Sequence, residues 1–309
     1  MRTALIDSLM EVAAEDERVF LLTADLGWGV VERFAERYPD RFLNVGVAEA
    51  NMAGVATGLA MTGYVPFIYS IASFASMRCY EQIRNGPVLH GLPVRVVGVG
   101  GGYAYGHAGP THFALEDLVI ARAQPAMTVL VPADPPQVRT LVRATMGLPG
   151  PAYIRVGKGG NPSLPSLHGR FAFGRPEVVR EGRDALILAC GSVVHEALIA
   201  ADRLEKEGRS STAVAVLAHL TFAPTAALID LLARYACVVT LEEGYTAGGL
   251  GSLAAEAIAQ GGLRCRLRTC GVTRAFGPVS GSEAYMRAAA GLDAASVART
   301  TEALVAGRA

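Results

Sequence analysis

Short apolar runs alternate with stretches of helical periodicity along nearly the whole sequence, and this alternation restricts the possible folds more than any other feature. Val19–Thr23 and Ala152–Val156 are typical of buried strands, whereas residues 3–16 place Leu5 and Leu9 on one face of a helix. A chain in which strands and helices alternate forms a mostly parallel sheet with helices on both faces. The sequence therefore predicts an α/β fold.

The alternation is interrupted once, by residues 157–176, which are rich in Gly, Pro and Ser and lack any periodicity. A chain of 309 residues is long enough for two domains with their own cores. We expect one doubly wound domain over residues 1–160, a linker over 161–180 and a second doubly wound domain over 181–309. No clean internal repeat relates the halves, so we expect two different folds of the same class.

The pattern also places the individual elements. Predicted strands are Val19–Thr23, Phe42–Val47, Val65–Tyr69, Val94–Val99, Thr128–Val131, Ala152–Val156, Ala185–Cys190, Ala213–Leu217, Cys237–Leu241 and Cys265–Cys270. Predicted helices are 3–16, 48–61, Ser73–Asn85, Leu115–Arg122, Pro136–Met146, Val193–Glu207, Ala226–Arg234 and Gly251–Ala259. The helix 48–61 is unusually rich in Gly and Ala, which favours either a subunit interface or tight packing within the chain.

The charge balance argues against polyanionic partners. Lys and Arg number 28, as do Asp and Glu, so the chain has no general attraction to nucleic acid or anionic lipid. The five cysteines form no CxxC pair, which is typical of reduced thiols in a core. The N-terminal residues resemble no signal peptide, and no stretch is typical of a membrane span. We therefore expect a cytoplasmic protein.

Ligands of open parallel sheets bind beyond the carboxyl ends of strands, where three segments fall: Gly46–Glu49, Gly100–His112 and Glu242–Gly251. Glu49 begins a predicted helix, so it is either a partner of the helix dipole or a functional acid. The second segment holds His107 and His112 among small residues. It could form a metal site, a glycine turn, or a close backbone approach to a ligand.

The third segment ends within the sequence GGLGS (248–252), which could bind phosphate at a helix start or allow tight packing of a helix on the sheet. A dinucleotide fingerprint would require GxGxxG after the first strand, and that pattern is missing. The sequence also lacks a Walker motif, GxSxG and HExxH. Glycine-rich nucleotide binding and these hydrolase chemistries are therefore not predicted.

Taken in order, several segments resemble the pyrimidine domain of transketolases. These segments are FLNVGVAEANMAGVATGLAMTG, PFIYSIASFASMRCYEQIRN, GHAGPTHFALEDL and VPADP, and the likeness continues into LEEGYTAGGLGS. The closest likeness is to two-chain transketolases, in which the second subunit starts near this N-terminus. The resemblance covers nearly the whole chain and rests on the order and spacing of the motifs.

The resemblance implies thiamine diphosphate as the cofactor, bound between two polypeptide halves. In the family one half holds the diphosphate through Mg²⁺ or Ca²⁺ with a GDG motif, which this sequence lacks. A partner chain would therefore supply the diphosphate and metal site, and this chain no metal ligand. Such a shared site implies a heterotetramer of two chains of each kind, built on twofold symmetry.

The resemblance also implies roles for individual residues. Glu49 matches the catalytic glutamate, whose carboxyl bonds a nitrogen of the cofactor's pyrimidine ring. Phe74 matches an aromatic residue that packs on that ring, and Asp25 matches an acid at the cofactor's edge. Ile71 and Met77 occupy two positions that are aromatic in the family, so the pocket is altered.

At the substrate end, His112 matches the family histidine near the cofactor amino group and the substrate. Arg2 and Arg155 match two arginines that hold a sugar phosphate, with surface solvation as the alternative. His107 is a further predicted substrate contact. Three polar positions of the family are small residues here: Gly29, Gly100 and Ala108. We therefore expect ketol transfer with a modified sugar or keto substrate, either non-phosphorylated or differently charged.

Three alternatives remain at this point. A β chain of a 2-oxo-acid dehydrogenase would also fit the GGG turn at 100–102, although GPTH and EQIRN favour a transketolase. A deoxyxylulose-phosphate synthase normally carries both halves in one chain. A non-catalytic scaffold subunit would be expected to lose Glu49 or His112, and both are present.

Overall fold

The computed structural model describes residues 1–273 and 279–307, and its strands form two sheets. In chain order the strands are β1 Val19–Thr23, β2 Phe42–Asn44, β3 Val65–Ile71, β4 Arg95–Val99, β5 Thr128–Leu130, β6 Ala152–Val156, β7 Glu177–Arg180, β8 Ala185–Ala189, β9 Thr212–Val216, β10 His219–Leu220, β11 Cys237–Tyr245 and β12 Arg266–Val272. The first sheet has the order β10-β5-β6-β4-β3-β1-β2 and the second β12-β11-β8-β9-β7. Only the pairs β10–β5 and β7–β9 are antiparallel within these sheets.

Helices cover both faces of each sheet. They are α1 Arg2–Glu15, α2 Glu32–Arg37, α3 Glu49–Met61, α4 Tyr80–Ile83, α5 Asp117–Arg122, α6 Pro135–Thr145, α7 Val194–Lys206, α8 Ala226–Leu232, α9 Leu250–Gln260, α10 Glu283–Ala289 and α11 Ala294–Val305. The predicted class of two mostly parallel α/β units is confirmed.

The strands of the first sheet alternate their side chains between two apolar clusters. Leu21 and Phe67 pack with α1 and α6 on one face, whereas Leu22 and Ile68 pack with α3 on the other. Both faces of the central strands are therefore removed from water, which explains their continuous apolar sequence. Burial of this kind is the main source of stability in an α/β sheet.

Some predicted elements differ from the structure. The strand predicted over Phe42–Val47 ends at Asn44, because the Asn44 side chain accepts from the N–H of Gly46. The helix predicted over Ser73–Asn85 is irregular, with two π-helical turns at Phe74–Arg78 and Arg84–Val88 around α4. A π turn contains one more residue than an α turn, and periodicity alone does not distinguish the two.

The segment predicted as a linker, residues 161–180, ends in regular structure. Its last four residues form β7, which pairs antiparallel with β9 at the edge of the second sheet. A further strand, β10, leaves the second unit and pairs with β5 at the edge of the first sheet. The two units therefore share a sheet edge as well as a connection.

In the part of the chain that the structure describes, no helix is both long and apolar enough to cross a bilayer. All five cysteines are free thiols: Cys79, Cys190, Cys237 and Cys270 are buried, and Cys265 is half-buried.

Candidate active site

The carboxyl ends of the parallel strands of the first sheet bring several predicted site residues to one edge. Asp25 follows β1, Glu49 lies five residues after the end of β2, and Phe74 follows β3. The loop Gly100–His112 follows β4. Four neighbouring parallel strands thus deliver side chains from distant parts of the sequence to one place.

Glu49 is the first residue of α3 and has only 3% of its surface exposed. The chain reaches this position through Gly46, whose φ of +72° is one that residues with a Cβ rarely adopt. Nη1 of Arg78 donates to Oε1 of Glu49 at 2.9 Å and to Oε2 at 3.1 Å. The carboxylate is therefore buried and paired with a cation, rather than solvated at a helix end.

Phe74 lies beside this ion pair. The guanidinium carbon of Arg78 is 3.6 Å from the centre of the Phe74 ring, which is a stacking distance. The ring of His112 contacts the Phe74 ring at a tilt of 60°, with a centroid distance of 5.0 Å. The Thr111 hydroxyl and Nδ1 of His112 are 2.9 Å apart, which orients the imidazole. The structure thus brings together the two predicted catalytic residues, Glu49 and His112.

Asp25 joins the same group through Asn44. The Asn44 side chain donates to Oδ1 of Asp25 and accepts from the backbone N–H of Asp25, both at 3.0 Å. It also accepts from the N–H of Gly46, so Asn44 connects the end of β1 to the segment leading to Glu49. Asp25 has a φ of +56°, an unfavourable conformation that these bonds stabilise.

Ile71 and Met77 flank Phe74 in the sequence. Ile71 ends β3 and is 8% exposed, whereas Met77 is 40% exposed and precedes Arg78. Both positions are thus filled by aliphatic side chains on either side of the stacking residue. Their predicted contact with a cofactor stays a prediction.

The substrate-side residues separate into an outer rim and one interior residue, Arg155. Nε of Arg2 donates to the carbonyl of Lys158 at 2.5 Å, and Nζ of Lys158 lies 4.5 Å from the centre of the Tyr105 ring. The Tyr105 ring is 6.3 Å from that of His112. Arg2 and Lys158 are therefore two cations beside the aromatic cluster that Tyr105 and Phe74 form with His112. His107 is exposed, in the turn Gly106–Ala108.

Arg155 lies in the interior instead. It is 7% exposed, donates from Nη1 to Asp117 at 3.3 Å, and donates from Nη2 to the carbonyl of Glu243 at 2.5 Å. Burial lowers the pKa of Arg155, but the charges of Asp117 and Glu243 outweigh burial and raise it. A Cβ on Gly101 would lie 1.6 Å from Nε of Arg155. The guanidinium of Arg155 therefore packs against the loop 100–112 and supports it. A bound sugar phosphate would have to compete with Asp117 and the Glu243 carbonyl for this guanidinium.

Gly100 and Gly102 are needed for the same reason as Gly101, because other side chains lie too close to leave room for a Cβ. A Cβ on Gly100 would lie 2.2 Å from the Tyr105 ring, and one on Gly102 would lie 2.4 Å from Cγ of Glu243. Any side chain larger than hydrogen at these three positions would push the loop away from Tyr105, Arg155 and Glu243. The glycines thus allow close approach of protein to protein, with Tyr105, Arg155 and Glu243 filling the space.

The GGLGS segment serves packing. The N–H groups of Leu250 and Gly251 at the start of α9 donate to the Glu242 carboxyl at 2.8 and 2.7 Å. A Cβ on Gly249 would lie 2.0 Å from the same carboxyl. Burial raises the pKa of Glu242 to about 7, while those two N–H groups lower it. The donors that a phosphate would need are already used.

The small residues of α3 singled out in the sequence lie on two faces of the helix. Ala53, Ala56 and Ala60 are buried against the sheet, whereas Gly54 and Gly58 are exposed and would meet nothing within 4 Å if a Cβ were added. Tight packing within the chain therefore applies to the alanine face of the small-residue helix, and the subunit interface stays a prediction for the glycine face. The packing face is occupied, and the glycine face is open.

The arrangement around Glu49 fits a planar nitrogen heterocycle. The guanidinium of Arg78 is planar, stacks on Phe74 and donates N–H to Glu49, which are the contacts that an aminopyrimidine would need. Among residues 1–273 and 279–307, no three His, Cys, Asp or Glu side chains come together as a metal site.

Several residues of the site were not predicted from the sequence: Arg78, Asn44, Tyr105 and Lys158. Arg78 carried a usable signal, because a cation four residues after Phe74 lies on the same side of a helix. Asn44 and Lys158 gave no such signal, since their positions depend on which strands are neighbours.

Fold and site together define a two-unit α/β chain with a buried acid at the sheet edge. A family model for the transketolase pyrimidine-binding domain matches residues 1–162, and one for the transketolase C-terminal domain matches residues 174–297. The chain therefore belongs to the transketolase family, with the domain content of the C-terminal subunit of a two-chain enzyme.

Individual relatives agree with this assignment. The 6-deoxy-6-sulfo-D-fructose transketolase subunit SqwH of Clostridium sp. (strain MSTE9) is 38% identical over 97% of this chain and 92% of its own length. An apulose-4-phosphate transketolase subunit of Phocaeicola vulgatus is 30% identical over 86% of each chain. A solved structure described as a split gene transketolase, inactive beta4 tetramer, has a TM-score of 0.90 and 35% identity over 100% of this chain and 99% of its own.

Proposed function

We propose that this chain is the catalytic-acid subunit of a two-chain transketolase that transfers a two-carbon ketol unit between sugars or sugar-like substrates. The observation that carries the proposal is the buried Glu49 carboxyl, which Arg78 links to the Phe74 ring, with His112 in contact with that ring. The cofactor implied by the family is thiamine diphosphate, whose thiazolium carbon supplies the carbanion chemistry when it is bound.

Glu49 would hold a proton against a ring nitrogen of the cofactor. A carboxyl with 3% exposure is shielded from water, so its hydrogen bond is stronger than it would be at the surface. Phe74 would hold the ring at stacking distance, with Asp25 at the edge, fixed by Asn44. His112 is oriented by Thr111 and would hold or release a proton at a substrate hydroxyl or carbonyl.

A partner chain is part of the proposal. The predicted diphosphate and metal site would lie on that chain, and the described residues of this one contain no cluster of metal ligands. Two large apolar side chains next to site residues are exposed: Trp28, 76% exposed, follows Asp25 closely, and Val47, 72% exposed, lies two residues before Glu49. Apolar surface of this kind is normally covered in an assembly. We expect two chains of each kind, with Mg²⁺ or Ca²⁺ held by the partner.

The substrate is proposed to be a modified sugar or keto compound, either non-phosphorylated or differently charged from an ordinary pentose phosphate. Arg2 and Lys158 provide positive charge near His112, but Gly29, Gly100 and Ala108 replace polar residues of the usual sugar-phosphate site. The relatives named for a sulfosugar and for apulose 4-phosphate support a substrate range beyond ordinary pentose phosphates. A donor panel containing xylulose 5-phosphate and 6-deoxy-6-sulfofructose tests this. Full activity with xylulose 5-phosphate and ribose 5-phosphate would contradict the proposal.

The central test is Glu49→Gln in the complex reconstituted with the partner chain. Loss of the acid should lower kcat by about 10²–10⁴-fold if Glu49 takes part in proton transfer. Glu81→Gln is the matched control, because Glu81 lies at the exposed start of α4. Size-exclusion chromatography with light scattering should give the same assembly for all three proteins.

The outcomes separate the alternatives. Unchanged turnover of Glu49→Gln would support a scaffold subunit instead of a catalytic one. Oxidative decarboxylation of a 2-oxo acid by the wild-type complex, without ketol transfer, would support a dehydrogenase component.

A further inference from the structure

Arg78 holds the position that a cofactor ring would need. Its guanidinium lies 3.6 Å from the centre of the Phe74 ring and donates to both oxygens of Glu49. A six-membered ring stacked on Phe74 with one nitrogen on Glu49 requires the same space and the same acceptor. The two groups cannot both be there, because a stacked guanidinium is already at van der Waals distance.

The segment that carries Arg78 has an unusual backbone. Phe74–Arg78 is a π-helical turn, and a second one, Arg84–Val88, follows after α4. Such turns are rare and often occur at functional sites. Arg78 itself is 45% exposed in its side chain, whereas its partner Glu49 is 3% exposed. The arginine therefore reaches inward from solvent and has free space to return to.

We propose that Arg78 is a residue of the cofactor site that substitutes for the pyrimidine in the free chain and leaves Glu49 when the cofactor binds. This inference rests on the proposed function. In the free chain the guanidinium neutralises a buried carboxylate, which would otherwise be strongly unfavourable. On cofactor binding the ring would replace both the stacking contact and the hydrogen bond, and Arg78 would move toward solvent.

Displacement of Arg78 by the cofactor predicts the direction in which the cofactor's Kd changes when Arg78 is removed. If Arg78 competes with the cofactor, its removal strengthens cofactor binding, because no ion pair has to be broken first. A half-exposed ion pair with a stacking contact is a modest competitor, so we expect roughly a three- to thirtyfold lower Kd. If Arg78 instead contacts the bound cofactor, its removal weakens binding.

The experiment is calorimetric titration of thiamine diphosphate with Mg²⁺ into the cofactor-free complex of this chain and its partner. Arg78→Ala is compared with wild type and with Arg84→Ala. Arg84 is an exposed arginine six residues further on, whose Nη1 donates to the neighbouring Asn85 side chain. A lower Kd for Arg78→Ala alone is expected. A higher or unchanged Kd would overturn the proposal.

A second variant and a second measurement keep the test decisive if Arg78→Ala does not fold correctly. Arg78→Met keeps a long apolar side chain on Phe74 but removes the charge, so it should also bind the cofactor more tightly than wild type. In the free chain, Arg78→Ala should lower the thermal midpoint, and the added change Glu49→Gln should recover part of the loss. No recovery would mean that the two side chains are not coupled, which contradicts the displacement.

The outcomes also separate this proposal from the proposed function. If the wild-type complex binds no thiamine diphosphate, the proposed function fails. If the wild-type complex binds it and Arg78→Ala weakens binding, only the displacement proposal fails.

Discussion

The carboxylate of Glu243 accepts a hydrogen bond from the backbone N–H of Tyr103 at 2.8 Å, although the two residues are 140 positions apart. Oε2 of the same carboxylate accepts from Nε and Nη2 of Arg287 at 2.9 and 2.6 Å. Glu243 belongs to the second sheet, and Tyr103 lies in the loop that carries His112. The second unit therefore supports the candidate active-site loop directly.

We expect Glu243→Ala to destabilise the chain by about 3 kcal/mol, because it leaves Arg287 without its main acid and Tyr103 without an acceptor. Glu243→Gln should cost less, since an amide oxygen can still accept from Tyr103. Urea unfolding measures both, and hydrogen exchange of the Tyr103 amide measures the local effect. Values for Glu243→Ala within about 0.5 kcal/mol of wild type would contradict the support by Glu243.

Gly101→Ala should destabilise the chain by about 2–4 kcal/mol. The new Cβ would lie 1.6 Å from Nε of Arg155, a side chain that Asp117 and the Glu243 carbonyl hold in place. Gly159→Ala is the control, because nothing lies within 4 Å of a Cβ at that position. Thermal unfolding of the two variants provides the comparison. Equal midpoints would mean that the Arg155 side chain moves away from the new Cβ at little cost in free energy.

His112→Asn should lower kcat/KM by about 10²-fold or more if the imidazole transfers a proton. His112 contacts the Phe74 ring, whereas His107 is exposed in the turn before it. His107→Asn should therefore have a smaller effect, confined to KM. Steady-state kinetics on the reconstituted complex measure both, and the reverse ranking would assign the histidine role to His107.

Gly58→Leu tests the open face of α3. Replacing an exposed helix glycine should leave the free chain as stable as before or stabilise it by up to about 1 kcal/mol. The same change should prevent assembly with the partner if this face is an interface. Ala255→Leu, an exposed position on α9, is the control. Light scattering of the co-purified chains gives the result, and normal assembly of Gly58→Leu would exclude the glycine face from the interface.

Acid should weaken the contact between the connecting segment and β10 that His219 makes. Burial lowers the pKa of His219 to about 4, and its Nδ1 accepts from the N–H of Gly174 at 2.8 Å. Between about pH 4 and 6.5 the unfolded chain binds a proton that the folded chain excludes, so stability rises with pH in this window. The contribution is about 3 kcal/mol, fully lost below about pH 4.

His219→Asn keeps an acceptor for Gly174 but cannot be protonated. The free energy of unfolding, measured from pH 4.5 to 7.5, should therefore rise less steeply in this variant than in wild type. Identical slopes would mean that His219 does not titrate with folding.

Much of the fold could be predicted because burial is periodic along the chain. Strand β1 lies where it was predicted, and α3 begins one residue after its predicted start. The exceptions are instructive. Strand β2 is short because the Asn44 side chain accepts from the N–H of Gly46, two residues further on, and β10 is a two-residue strand too short to produce a pattern.

For the site, Glu49 and His112 lie in segments that the sequence places after strand ends, whereas Phe74 was predicted only from the resemblance to the transketolase pyrimidine domain. It also singled out Arg155 as a substrate contact, which stays a prediction; in the structure Arg155 contacts Asp117 and the Glu243 carbonyl. An arginine at a strand end has the same local pattern whether it faces a ligand or the interior.

The sequence by itself determined two parallel α/β units, an acid at the start of a helix and a glycine-rich loop after β4, because periodicity and turn chemistry are local properties. Only the tertiary structure decided that Arg78 stacks on Phe74 and that Glu243 supports Tyr103. The first contact depends on how a π turn directs one side chain. The second depends on the order of strands in two sheets, which brings together residues that no local pattern relates.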